Sequence, residues 1–190
     1  MKVNFGFDVK SIEQAIKDIT DFKENFKQAK QKFLMRCAEW VRDRSNTYLR
    51  SCDIGDALKT EIQAGWVITY AGNFGVMLTN HHEKAVYVEF GVGLDGSQSP
   101  HDYAGQAGYA YNVPSSAKRK DGSWAFVVKD GIEYLDLPVS KTQLLEKTSK
   151  TAGNYTVAIT KGTKGVMYAY NALMDLRLYG AADIWEKEFK

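Results

Sequence analysis

Two cysteines, three prolines and three histidines are all that 190 residues supply of the types that staple, kink or ligate. Cys37 falls inside a helical pattern and Cys52 just after it, which gives neither a disulfide framework nor the four ligands of a structural zinc. A reducing, cytoplasmic site of synthesis fits that usage. No apolar stretch approaches the roughly 18–20 residues of a membrane span, so no membrane contact is expected. The start, "MKVNFGFDVK", has no apolar run and no small-residue cleavage site, so no secretory signal is expected either. Excess charge is also missing: a net +2 does not by itself imply nucleic-acid binding, although basic residues concentrate at Lys23–Arg50 and Lys118–Lys120. There is no GxSxG, Walker loop, HExxH, paired-carboxylate or Cys-His pattern. What is present, 44% hydrophobic with 25% charged residues, is the composition of one soluble globular domain.

From Ser11 to Leu49 there is neither proline nor glycine, and Ile12, Ile16, Ile19, Phe22, Phe26, Ala29, Phe33, Cys37, Trp40, Val41 and Tyr48 recur in steps of three and four. That spacing predicts one helical arm over 11–50, N-capped by Ser11. At 1.5 Å per residue it spans roughly 55 Å, more than a compact domain of this size needs. Either it breaks within Lys23–Lys32 or one end projects. Residues 62–160 then read as sheet, with strands at Gly65–Tyr70, Phe74–Thr79, Ala85–Phe90, Trp124–Lys129, Ile132–Leu135 and Tyr155–Thr160. Ser140–Asn154 reads as a polar connection with some helical character. Between the strands lies a long loop, 91–122, holding six glycines, two prolines and the tyrosines Tyr103, Tyr109 and Tyr111. Loops of that length are uncommon and often functional, and we expect this one to be mobile until a partner binds. Residues 166–190 form a C-terminal helical segment that Gly180 ends or bends.

Few residues carry chemistry. On a strand, His81 and His82 would face opposite ways, so they read as hairpin-turn polar residues, and no metal is expected. Glu89 interrupts the apolar run "AVYVEF" and, on a strand, would share a face with Tyr87 against Val86, Val88 and Phe90. A general acid or base would need a second acid nearby. The structural alternative is a carboxylate satisfied by amides of the following glycine turn, or by an Arg or Lys. "GVGLDG" follows a strand and does not open a helix, so it makes a weak phosphate cradle. No catalytic residue, cofactor or metal ligand is expected.

Four stretches resemble one family, the tail-completion or head-tail connector proteins of the neck of long-tailed double-stranded DNA bacteriophages. They are "GDALKTEIQAGW" ahead of the strands; "VMLTNHHEKAVYVEFGVG", with Asn80 and a Tyr-Val-Glu-Phe-Gly core; the Gly/Pro/Tyr-rich loop with "GSWAFVVKDG"; and "TKGVMYAYNALMDL", whose Gly165 leads into a C-terminal helix. Here "HHEKAV" lengthens the usual turn and Val92 replaces the usual threonine, so no role for that threonine is carried over.

The resemblance implies a non-enzymatic virion protein, phage- or prophage-encoded. It would complete the head-proximal end of the tail as a ring and join it to the neck, after assembly in the host cytoplasm. Its partners would be the tail tube or terminator and the neck connector or stopper proteins, with DNA passing at most transiently through the lumen. The expected interface or structural residues are Tyr87, Glu89, Phe90, Gly91, Gly93, Tyr103, Tyr109, Tyr111 and Gly165. A tail terminator ring is the nearest alternative, then a small hydrolase or nuclease using Glu89 and the histidines His81 and His82, or a nucleic-acid-binding module. The expected fold is α+β: a long N-terminal helix, an antiparallel sheet of about five strands, the Gly/Tyr-rich loop, and a C-terminal helix packed on the sheet.

Overall fold

The computed structural model describes residues 8–72, 75–111, 120–121, 123–128, 143–149, 153–160 and 162–189. The chain is α+β, and its first element is a single unbroken helix, α1 (Val9–Arg50). Its N-cap is Asp8, not Ser11: Ser11 is the third helical residue, and its N–H and hydroxyl both donate to the Asp8 carboxylate, at 3.0 and 2.7 Å. No break falls within Lys23–Lys32, so at about 60 Å the helix projects.

A helix α2 (Asp56–Ala64) and the hairpin β1 (Trp66–Ala71) and β2 (Gly75–Asn80) follow, in antiparallel register from Trp66 opposite Asn80 to Ala71 opposite Gly75. A two-stranded ribbon alone is marginal in water. This one packs on α1, and Trp66 Nε1–H donates to Asn46 Oδ1 at 2.9 Å.

The next segment corrects the sequence reading. Ala85–Phe90 is not a strand but a short helix, α3. The residues it buries, Ala85, Val88 and Glu89, are spaced three and four apart, a helical face, while Tyr87 is exposed. Two-residue strand β3 (Gly91–Val92) and a helical turn α4 (Gly93–Ser97) continue it. Beyond the loop come β4 (Trp124–Val128), β5 (Gln143–Ser149), β6 (Gly153–Thr160) and β7 (Gly162–Lys164).

The described strands form no five-stranded sheet: β1 pairs β2, β3 pairs β7, and β4-β6-β5 make a three-stranded antiparallel unit. The polar stretch Gln143–Ser149 is a strand because it finds β6, a tertiary choice that its own composition does not dictate. The reading of Ile132–Leu135 as a strand lies outside the described residues.

At the C-terminus α5 (Tyr168–Asp175) runs through a π-helical turn (Leu176–Gly180) into α6 (Ala181–Phe189). Gly180 therefore does not end the segment, which passes through it as a π-helical turn. A Cβ there would press on the Trp40 ring at about 3.0 Å, so the missing side chain is what lets the turn approach α1. These helices pack chiefly on α1, not on the sheet. Phe33 meets Trp185 and Phe189, and Asp175 accepts from Tyr48 Oη–H and Arg44 Nε–H, both at 2.7 Å. The core joins Leu49, Leu58, Ile62, Ala85, Val88 and Tyr168. The other end of α1 takes no part in it: Val9, Ile12, Ile16, Ile19, Phe22 and Phe26 are 45–71% exposed.

Two outcomes follow from this packing. Ile62→Ala, at a fully buried site, is expected to cost about 2–5 kcal/mol in urea unfolding, and Ile16→Ala less than about 1 kcal/mol at a concentration where the chain is monomeric. The bonds from Tyr48 and then Arg44 hold the Asp175 carboxyl below its ordinary 3.8. The unfolded chain therefore takes up that proton first: the stabilisation is whole above the ordinary value and is lost as pH falls through the lower, folded value. Asp175→Asn is expected to remove that part of the acid limb in a stability–pH profile.

Candidate functional site

Among the described residues Glu89 is the buried acid, and its position at the last turn of α3 aims it at another part of the chain. Val166 N–H and Met167 N–H bond to the carbonyls of Val88 and Glu89 at 2.8 and 3.1 Å, which lays the segment before α5 along the end of α3. Met167, the residue before α5, has φ 55°, the left-handed region, and no side chain of its own to cap the helix. The cap comes from Glu89. Its Oε2 accepts Ala169 N–H and its Oε1 accepts Tyr170 N–H, both at 2.9 Å. A carboxylate at orphan N–H groups of a helix start meets both their hydrogen bonds and the positive end of the helix dipole.

A third donor closes the set. His101, buried in the Gly/Pro/Tyr-rich loop, places Nε2 at 3.3 Å from Glu89 Oε1, while its Nδ1 accepts Tyr103 N–H at 3.0 Å. With Nδ1 used as an acceptor, the ring carries its proton on Nε2 and gives it to Glu89. Glu89 is thus satisfied by backbone amides, as the structural reading expected, but by those of α5 and not of the glycine turn. The cation expected as an alternative is replaced by a histidine.

The glycines serve the same junction. Gly91 and Val92 pair with Lys164 and Thr163, and Gly93 bridges to Gly162. A Cβ on Gly165 would fall inside contact distance of the Glu89 and Phe90 carbonyls, so the close approach requires glycine. Asn80 works alike at the hairpin: its Nδ2–H donates to the Ile62 carbonyl at 2.7 Å and its Oδ1 accepts His82 N–H at 3.0 Å.

The described half of the loop, up to Tyr111, is packed. Tyr109 stacks on Phe90 at 4.9 Å, gives its hydroxyl hydrogen to the Gly91 carbonyl, and meets Tyr111 edge-on at 5.1 Å. Tyr111 Oη in turn accepts His101 N–H at 2.7 Å. Burial pushes the Tyr109 phenol up to about 12, keeping it a donor at any ordinary pH. Tyr103 and Tyr87 remain about two-fifths exposed. Gly91–Tyr111 makes these contacts within the chain; residues 112–119 and 122 of the loop lie outside the described residues.

The expected residues Tyr87, Glu89, Phe90, Gly91, Gly93, Tyr103, Tyr109, Tyr111 and Gly165 thus gather at one junction of α3, the loop and α5. His81 and His82 do not join them: His82 turns to Glu61 at 3.1 Å, and His81 contacts Thr79. His101 went unremarked in the sequence, where nothing in its spacing from Glu89 marks it. The junction also forms one wall of an apolar groove of about 490 Å³ running between α1, the β1–β2 hairpin and α5. Comparison with known proteins gives no match: no protein-family model, no curated protein and no solved structure.

Glu89→Ala strands three donors in a buried site and is expected to lower stability by about 2–4 kcal/mol in urea unfolding. Glu89→Gln, which keeps one acceptor oxygen, is expected to fall between that variant and the parent.

Proposed function

We propose that this chain is a non-enzymatic structural component of a tailed-phage virion, one that completes the head-proximal end of the tail as a ring and joins it to the neck proteins. The observation that carries the reading is convergence. Two of the stretches that resemble the connector family, "YVEFG" and "TKGVMYAYNAL", lie far apart in sequence and meet at one clasp, with Glu89 on the start of α5 and Gly165 against Glu89 and Phe90. A pattern whose glutamate and glycine hold a junction together suits a part that bears load.

The same clasp argues against the hydrolase alternative. Both Glu89 oxygens already accept backbone N–H bonds, and Oε1 faces His101 as well, which leaves a general acid or base little freedom to reach a substrate. The aromatic surface around Tyr87 and Tyr103 favours a protein partner, since tyrosine contributes large contact area at small entropic cost. A tail terminator ring would draw on the same features, and imaging of the virion neck separates the two by position.

The test is particle mass by light scattering, for the purified chain across concentration with and without assembled tails. A ring, formed alone or on tails only, is the expected result. A chain that stays monomeric and leaves tails unchanged overturns the reading.

A further inference from the structure

One chain carries two apolar surfaces that cannot meet within it. The first is the stripe Val9, Ile12, Ile16, Ile19 and Phe22 on the projecting part of α1, every member at least 45% exposed. The second is the groove of about 490 Å³, whose floor and sides include Leu34, Cys37 and Val41 of α1, Val76 and Leu78 of β2, and Leu173 of α5. The groove sits on the same unbroken helix as the stripe, about 22 Å further along its axis from Ile19 to Leu34. No bend of α1 brings the stripe to its own groove.

We infer that the stripe of one copy docks in the groove of a second copy. The stripe has the form that a groove reads: Ile12, Ile16 and Ile19 stand four and three apart on one helical face, the anchor spacing of helix-in-groove recognition. Its size also fits. Large apolar side chains about half exposed present roughly 100 Å² each, so the five offer on the order of 500 Å², a large part of the ~800 Å² a partner contributes to a standard interface. A patch of that area is at the upper end of what a lone soluble protein leaves bare. Pairing arm against arm would cover the stripe and leave the groove open, whereas arm in groove fills the groove with part of the stripe. The contact joins two different surfaces, so it repeats from copy to copy and closes a ring when the rotation allows. Only that closure rests on the function proposed above.

Cys37, which lines the groove, supplies the probe. The full-length Ile16→Cys, Cys52→Ser chain is prepared as an equal mixture of two isotopic labels, oxidised with copper phenanthroline at alkaline pH, digested and read by mass spectrometry. The expected product is a disulfide from position 16 of one label to Cys37 of the other. A link joining position 16 to position 16, or no link between labels, overturns the inference. Ile16→Asp is the independent variant: self-association in sedimentation is expected to weaken at least tenfold with the helical circular dichroism retained, and unchanged association overturns the proposal. Failure here is distinct from failure of the functional reading. Rings on tails without the 16–37 link remove this contact alone; the link in a chain that ignores tails removes only the connector role.

Discussion

A carboxylate taken out of water needs donors, and at Glu89 they come from residues 80 and 81 positions further along the chain. Much of the fold's centre depends on meeting that need. Because Met167 enters α5 in a left-handed conformation with no capping side chain, the helix start has free N–H groups, and only an outside acceptor satisfies them. Glu89 reaches them because α3 is a helix, which sets Glu89 on the buried face with Ala85 and Val88. It reaches them also because Gly165 lets the backbone pass against Phe90. His101 then fastens the tyrosine loop to the same carboxylate. One carboxyl group thus ties α3, the loop at His101 and the start of α5.

Around that clasp, α1 acts as a beam with two unlike halves. From Phe33 onward it is covered by α6, α5 and the hairpin, through ring contacts of Phe33 with Trp185 and Phe189 and the Arg44–Tyr48–Asp175 set. Before Phe33 the same apolar period continues with its large side chains about half exposed, Phe26 touching Phe189 and the small Ala15 buried. Hydrophobic periodicity is therefore carried further than the core of one chain uses, and the excess lies on one face of a rigid rod.

What could be read beforehand divides by distance along the chain. A 42-residue helix without glycine or proline shows its period many times over, so α1 was legible, and so were the β1–β2 hairpin and the C-terminal helical segment. Ala85–Phe90 was not: in six residues, Val86, Val88 and Phe90 fit an alternation of two while Ala85, Val88 and Glu89 fit three and four, and so short a window holds both. Gln143–Ser149 became a strand through its partner β6. Glu89, Gly165 and the loop tyrosines of the junction stand in motifs visible in the sequence, but their roles there are not. That Glu89 caps α5, and that His101 is its third donor, are facts about segments brought together only by folding.

The bare stripe and the open groove are best understood as halves of a balance. Exposed apolar area on a soluble chain is tolerable when charges flank it, and the arm has Glu13, Lys17, Asp21, Lys23, Glu24 and Lys27, all exposed, in mixed sign along the same turns. Such a surface disfavours indiscriminate collapse yet leaves the hydrophobic free energy of the stripe unrealised in the single chain. Covering it requires a concave apolar partner, and the fold itself provides an apolar groove next to the clasp that can take part of it. The energy that would join copies is thereby kept apart from the energy that folds each one, so a chain of this design can fold first and associate afterwards.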